Sequence, residues 1–209
     1  MSRRAALALA IAAALGVGIA GALMASLGGG SPAAGSRQYR GSEPPAGIAM
    51  SEFVLRNHDG RRIRSADLRG RVTLLTFLDS QCTESCPVIA WTVARTLDSL
   101  DEYERSEVRA VAISTDPGED TRRAVRRFLA RNRALGRLLY VGGGQSSNEL
   151  RKVWSEFKVL SSLESGEDAL HSAPVRIYDR RGIWVATLHA GVDLTEANLA
   201  HDIRVTLRD

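Results

Sequence analysis

The chain has 209 residues, 44% hydrophobic and 25% charged, which suits one globular domain with an addition at one end and excludes both a disordered chain and a two-core protein. The net charge of +4 sets 28 basic against 24 acidic residues, spread along the chain without an aromatic-plus-basic recognition motif, so nucleic acid is not an expected partner. Only two cysteines occur, Cys82 and Cys86, which rules out a disulfide-built scaffold.

Arg3 and Arg4 precede an uncharged run from Ala5 to Leu27, 23 residues. At about 1.5 Å per residue such a run can cross a hydrocarbon core of about 30 Å. Residues 1–27 are therefore read as a signal-anchor or transmembrane segment. Ala20-Gly21-Ala22 resembles a signal-peptidase site, so cleavage stays open. Arg37 and Arg40 lie behind the run and offset the charges before it, so charge alone does not orient it. Short N-terminal flanks of this form usually stay inside. The expected location is the cell membrane, single-pass, with the globular domain extracytoplasmic. From Gly28 to Gly47 the chain is rich in Gly, Ser, Pro and Ala without periodicity. Residues 28–50 read as a flexible tether and residues 51–209 as the folded domain.

Within the domain, Phe53 to Asn57 and Arg62 to Arg64 flank His58-Asp59-Gly60-Arg61, a hairpin signal with Gly at the turn. Val72 to Leu78 is a continuous apolar and β-branched run that reads as a buried strand. Ile89, Val93, Leu97 and Leu100 follow at helical spacing. Val108 to Ser114 reads as a second buried strand, after which Asp120 or Thr121 can cap a helix. That helix sets Ala124, Val125, Phe128 and Leu129 against a solvated arginine face, Arg122, Arg123, Arg126, Arg127, Arg131 and Arg133. Arg137 to Val141 is a third strand, Gly142-Gly143-Gly144 a loop, and Leu150, Val153, Trp154 and Phe157 the inner face of a third helix. After a polar loop from Ser161 to Asp168, Pro174 to Tyr178 and Ile183 to Leu188 form a second hairpin. Asp193 and Glu196 form a variant capping box for a last helix whose core face is Ala197, Ala200, Ile203 and Leu207. Trp91, Trp154 and Trp184 read as packing residues.

Both cysteines fall where the central strand hands over to a helix, and open α/β sheets place their chemistry at such corners. Their spacing of four puts both sulfurs on one face if that first turn is helical. A helix N-terminus favours thiolates, and thiolates select soft ions such as Cu(I). A disulfide across so short a loop would stabilise the fold by only about 2 kcal/mol.

The element order is that of an α/β, thioredoxin-like fold with an N-terminal β-hairpin extension. From Phe53 to Leu207 the chain resembles the SCO/SenC copper-chaperone family of cytochrome oxidase assembly factors. Four stretches carry the likeness: the lead-in Asp67 to Phe77; Cys82-Thr83-Glu84-Ser85-Cys86-Pro87, matching C-x-x-x-C-P; Ile113 to Thr121, resembling S-x-D-P-x-x-D-T; and His171-Ser172 before the strand Val175 to Tyr178. The resemblance implies one copper ion held by Cys82, Cys86 and His171, a set that suits Cu(I) and can hold Cu(II) if a further ligand joins. It also implies that the partner is the copper-bearing subunit of cytochrome c oxidase or another copper chaperone. The aspartate matching Asp116 lies near the site in the family, whereas its local role here is turn chemistry before Pro117. Leu170 stands where many relatives carry an aspartate before the histidine, which leaves the surroundings of His171 different from theirs.

His58, His189 and His201 are rival imidazoles, each more simply read as a surface or locally satisfied group. A thiol-disulfide oxidoreductase remains open as a second function, with Cys82 and Cys86 cycling between dithiol and disulfide. Thioredoxin-like reductases use C-x-x-C, however, and the extra residue here favours chelation. A peroxiredoxin matches half its pattern at most: Leu75 and Asp79 stand where Pro and Thr should precede Cys82, and Asp79 and Thr83 where they should precede Cys86. A redox-signalling module using the same site is a further alternative.

Overall fold

A computed structural model describes residues 39–159 and 174–209. Along the chain run β1 (Val54–Arg56), β2 (Arg62–Arg64), a 3-10 turn (Ser65–Leu68), β3 (Val72–Leu78), α1 (Ser85–Ser99), α2 (Glu102–Ser106), β4 (Val108–Ser114) and α3 (Arg122–Arg131). They are followed by β5 (Leu138–Val141), α4 (Ser147–Phe157), β6 (Val175–Tyr178), β7 (Trp184–Leu188) and α5 (Glu196–Leu207). The read order holds, with one addition: α2, too short and polar to show apolar periodicity, is stabilised by an Asp101–Glu104 capping box.

Strands β3, β4 and β5 pair in parallel; β6 then pairs antiparallel with β3, and β7 with β6, giving the order β5-β4-β3-β6-β7. Every residue of β3 is buried, as expected of a central strand covered on both faces. Helix α1 packs on α5, and α5 reaches β3 and β7. Phe157 of α4 meets Phe77 of β3 edge-on at 5.5 Å and Phe53 at 6.3 Å.

Both sheet edges are covered, which removes the open hydrogen-bonding templates that invite self-association. On the β5 side the N-terminal hairpin docks: Asn57 bridges Val141, and the Gly142 N–H donates to the Arg56 carbonyl at 2.9 Å. On the β7 side Ser42 bridges Thr187 and Ala49 bridges Ile183. Residues 39–50 thus lie along β7, although their composition reads as tether. They are held by Asp202, fully buried on α5, whose carboxylate accepts the N–H groups of Arg40 (2.8 Å) and Gly41 (2.9 Å). Composition reports what a segment lacks for building a core of its own; it does not report an acceptor waiting 160 residues away.

The last helix starts differently from its expected form. Thr195, not Asp193, is the N-cap, its hydroxyl accepting from the Asn198 N–H at 3.1 Å. Asp193 accepts instead from the His189 N–H. The buried face is Leu199, Ala200, Asp202, Ile203 and Thr206, while Ala197 is exposed and Leu207 half-buried. Trp154 is buried, but Trp91 is 42% exposed beneath Arg95, 5.6 Å from the ring centre, and is not a core residue. The arginine face of α3 is solvent-exposed as expected, and Thr121 is its cap. No helix among the described residues is long and apolar enough to cross a membrane. The run Ala5 to Leu27 lies outside the described residues.

Candidate functional site

Beyond Leu78 the chain leaves the sheet through a tight turn. The Asp79 carboxylate accepts the Gln81 N–H at 2.7 Å, and its carbonyl accepts the Cys82 N–H at 3.3 Å. Helix α1 begins at Ser85, so Cys86 stands in its first turn and Cys82 lies before it. The two cysteines are therefore not stacked on a helical face. The turn, which folds back onto the helix end, brings them together instead.

Both cysteines are free thiols, Cys82 half-buried and Cys86 buried. The N-cap residue Glu84 makes no side-chain cap bond, and the Cys82 sulfur takes up that role. It accepts from the Cys86 thiol, from the backbone N–H groups of Cys86 and Glu84, and from Ser85. The Cys86 thiol is the largest of these influences, and together they lower the Cys82 pKa from 9.0 to about 5 against the opposing effect of burial. Cys86 is pushed well up, because its proton is the one shared with Cys82 and because it is buried. One sulfur is thus a thiolate at neutral pH and the other holds its proton.

This asymmetry is directly measurable. Alkylation of the reduced protein, followed by peptide mapping, is expected to modify Cys82 with a rate that rises through pH about 5 and is flat from pH 7 to 9. Cys86 should stay unmodified over the same range. A Cys82 rate that climbs tenfold per pH unit up to pH 8, as for an ordinary thiol, would contradict the arrangement.

Carboxylates crowd the same end of the sheet. Asp79 has its pKa raised, mainly by burial and further by the charges of Asp120, Asp116 and Cys82. Asp116 is occupied in its turn, its Oδ1 accepting the N–H groups of Gly118 (3.2 Å) and Glu119 (3.3 Å). Asp120, which the sequence offers as a helix cap, is instead fully buried and bonded to Ser80, Ser114 and Tyr140. It was missed as a site residue because its motif position also suits a cap; its placement before the real cap Thr121 was the available signal.

None of the rival histidines is grouped with the cysteines in a cluster arranged to hold a metal. His58 Nε2 lies 3.5 Å from Asp59 in the hairpin turn, and the His189 carbonyl closes the turn before α5. His201 Nδ1 lies 3.0 Å from Asp202. Among the described residues no group of three or more His, Cys, Asp or Glu side chains is arranged to hold a metal. His171 lies outside the described residues. The donor set in place is two sulfurs, one already deprotonated, and that chemistry fits a soft monovalent ion.

A family model, SCO1/SenC, matches residues 42–208. A mitochondrial SCO1 homolog of Arabidopsis thaliana is 29% identical over 128 residues, 60% of this chain and 37% of that protein. The chain thus spans little more than a third of the length of that curated relative. Among solved structures, Arabidopsis thaliana ScoI with copper bound superposes with a TM-score of 0.64 at 23% identity, covering 78% of this chain and 100% of its own. BsSco, a member of the Sco family of cytochrome c oxidase assembly proteins in which a disulfide switch was identified, gives 0.65 at 19% identity, covering 79% and 96%. At these identities the superpositions establish a common mixed α/β, thioredoxin-like fold. With the family model spanning nearly the whole packed domain, the chain belongs to the SCO1/SenC family.

Proposed function

We propose that this chain is a membrane-tethered, extracytoplasmic metallochaperone that carries copper for assembly of the copper site of cytochrome c oxidase. Its cargo is held by Cys82, Cys86 and His171. The observation that carries the reading is the thiol pair: two free sulfurs in hydrogen-bond contact at a helix end whose N-cap residue, Glu84, makes no side-chain cap bond. Such a pair is preorganised to take a soft ion, with the proton on Cys86 leaving as the ion arrives. The copper-bound Arabidopsis relative and the oxidase-assembly role of BsSco support the cargo and the destination.

The third ligand is supported by topology. Strand β6 pairs antiparallel with β3 through Arg176↔Leu75, so its N-terminal end approaches the end of β3 that leads to the cysteines. His171 precedes Pro174, the first described residue there, by three positions, within about 10 Å of extended chain. The tether reading rests on Arg3, Arg4 and the uncharged run after them. The partner would be the copper-bearing oxidase subunit or another copper chaperone.

A second reading, thiol-disulfide oxidoreductase, is favoured by the acidity of Cys82, since a thiolate at neutral pH is an attacking group. Titrating the reduced protein with copper and following absorption separates the two. Saturation at one equivalent with sulfur-to-copper charge-transfer bands is expected. Transfer of that copper to an apo oxidase copper domain supports the chaperone, whereas reduction of that domain's disulfide without transfer replaces it with the reductase.

A further inference from the structure

Among the described residues two carboxylates, Asp120 and Asp202, are fully buried, and each accepts at least one backbone N–H. Asp202 lies on α5 and holds the incoming chain at Arg40 and Gly41. Asp120 lies at the C-terminal ends of three strands at once. Its Oδ1 accepts the Ser80 N–H at 2.8 Å, and Ser80 stands two residues before Cys82. Its Oδ2 accepts the Ser114 hydroxyl at 2.6 Å, at the end of β4, and the Tyr140 hydroxyl from β5. Tyr140 also reaches the Leu78 carbonyl at 2.7 Å, the last residue of β3. The turn after β3 is otherwise held from within, by Asp79 on Gln81 and Cys82. Asp120 is therefore the side chain that ties this turn to β4 and β5.

A buried carboxylate is costly to desolvate, and such a group is tolerated where its hydrogen bonds are all directional and charge-assisted. Three donors from three separate elements meet that condition here. Both of its oxygens are used as acceptors, which an amide, with one oxygen and one NH2, cannot reproduce.

We propose that Asp120 is the positioning residue of the cysteine site: through Ser80 it holds the turn in the one geometry that lets the Cys82 sulfur cap the N-terminal end of α1. It touches neither sulfur nor cargo. The inference deepens the proposed function by naming what preorganises its thiols, and it rests on that reading only in taking the cysteines as the working groups.

The test uses the reduced, full-length, metal-free protein, so copper does not enter it. The variants are Asp120→Asn and, as a matched control, Asp202→Asn. Each is scored by urea unfolding and by the pH profile of Cys82 alkylation. Asp79 and Cys86, the titratable groups coupled to Cys82, are unchanged in both, as is Asp116, which acts on Asp79.

If Asp120 positions the turn, Asp120→Asn lets Cys82 leave its donors, and the midpoint of its profile rises by at least one pH unit, a tenfold weaker acid. Asp202→Asn loses stability with no such rise. The sign discriminates, because removing a nearby negative charge with the turn intact would lower the midpoint. A midpoint that is unchanged, lowered, or raised equally in both variants overturns the proposal. Should Asp120→Asn not fold, hydrogen exchange of the wild type decides: protection of the Ser80 amide comparable to that of β3 supports the clamp, and exchange at the rate of an exposed turn overturns it. Failure of wild-type protein to bind copper would remove the proposed function and leave this result standing.

Discussion

Replacing Cys86 with serine is expected to lower copper affinity by more than the roughly 10–100-fold that losing a supporting hydrogen bond to a ligand costs. Serine offers a hard oxygen that keeps its proton at neutral pH, so one of two soft donors disappears. The serine hydroxyl can still donate to the Cys82 sulfur, so the expected loss is that of a ligand and not of the Cys82 thiolate. Cys82→Ser should be equally severe. His171→Ala should cost less, since both thiolates remain to hold the ion. Competition titration against a copper chelator measures all three, and a cysteine variant within threefold of wild type would refute the ligand set.

The same asymmetry fixes the proton balance. At pH 7 Cys82 is already deprotonated while Cys86 is not, so uptake of one copper ion should release about one proton, from Cys86. Affinity should therefore fall about tenfold per pH unit from neutral pH downward, and more steeply below about 5, where Cys82 regains its own proton. Calorimetry in buffers of different ionisation enthalpy counts the proton directly.

The second large effect is expected at Gly143. A Cβ placed there would overlap the backbone carbonyl of Asp120 and stand 3.2 Å from its Cβ. The clash is backbone against side-chain root, so no flexible tip can swing aside. Gly143→Ala is expected to cost on the order of 3 kcal/mol, the upper range for overpacking. Relief by moving Asp120 would disturb the bond to Ser80 and displace Cys82. Gly60→Ala supplies the contrast: φ is +87° in the hairpin turn, with nothing within 4 Å of the added atom. Only the left-handed backbone penalty applies there, about 1 kcal/mol. Urea unfolding of the two variants checks the difference. Equal losses would mean that contact with Asp120 does not matter.

Much of the fold could be read directly. The unbroken apolar run from Val72 to Leu78 can only be a covered strand, and the two hairpins announce themselves through His58-Asp59-Gly60-Arg61 and Asp179-Arg180-Arg181-Gly182. The cysteine pair was equally plain, being the only sulfur donors that a strand-to-helix corner offers. What stayed hidden depends on contacts distant in sequence. Trp91 looks like core by type, yet its helix turns it outward beneath Arg95. Asp120 fits a cap by position, and only the meeting of β3, β4 and β5 gives it Ser80, Ser114 and Tyr140 instead.

By itself the chain's order of residues determined the strands, the helices and the two thiols that do chemistry, because periodicity, turn residues and cysteine spacing are local properties. Tertiary structure alone decided that Cys82 sits off the helix and serves as its cap, that one sulfur is acidic and the other is not, and that a buried carboxylate underlies the turn. The bond that fixes the turn, from Ser80 to Asp120, joins residues 40 positions apart, and the short-range bonds around Cys82 form only in the turn so fixed, which no local pattern encodes.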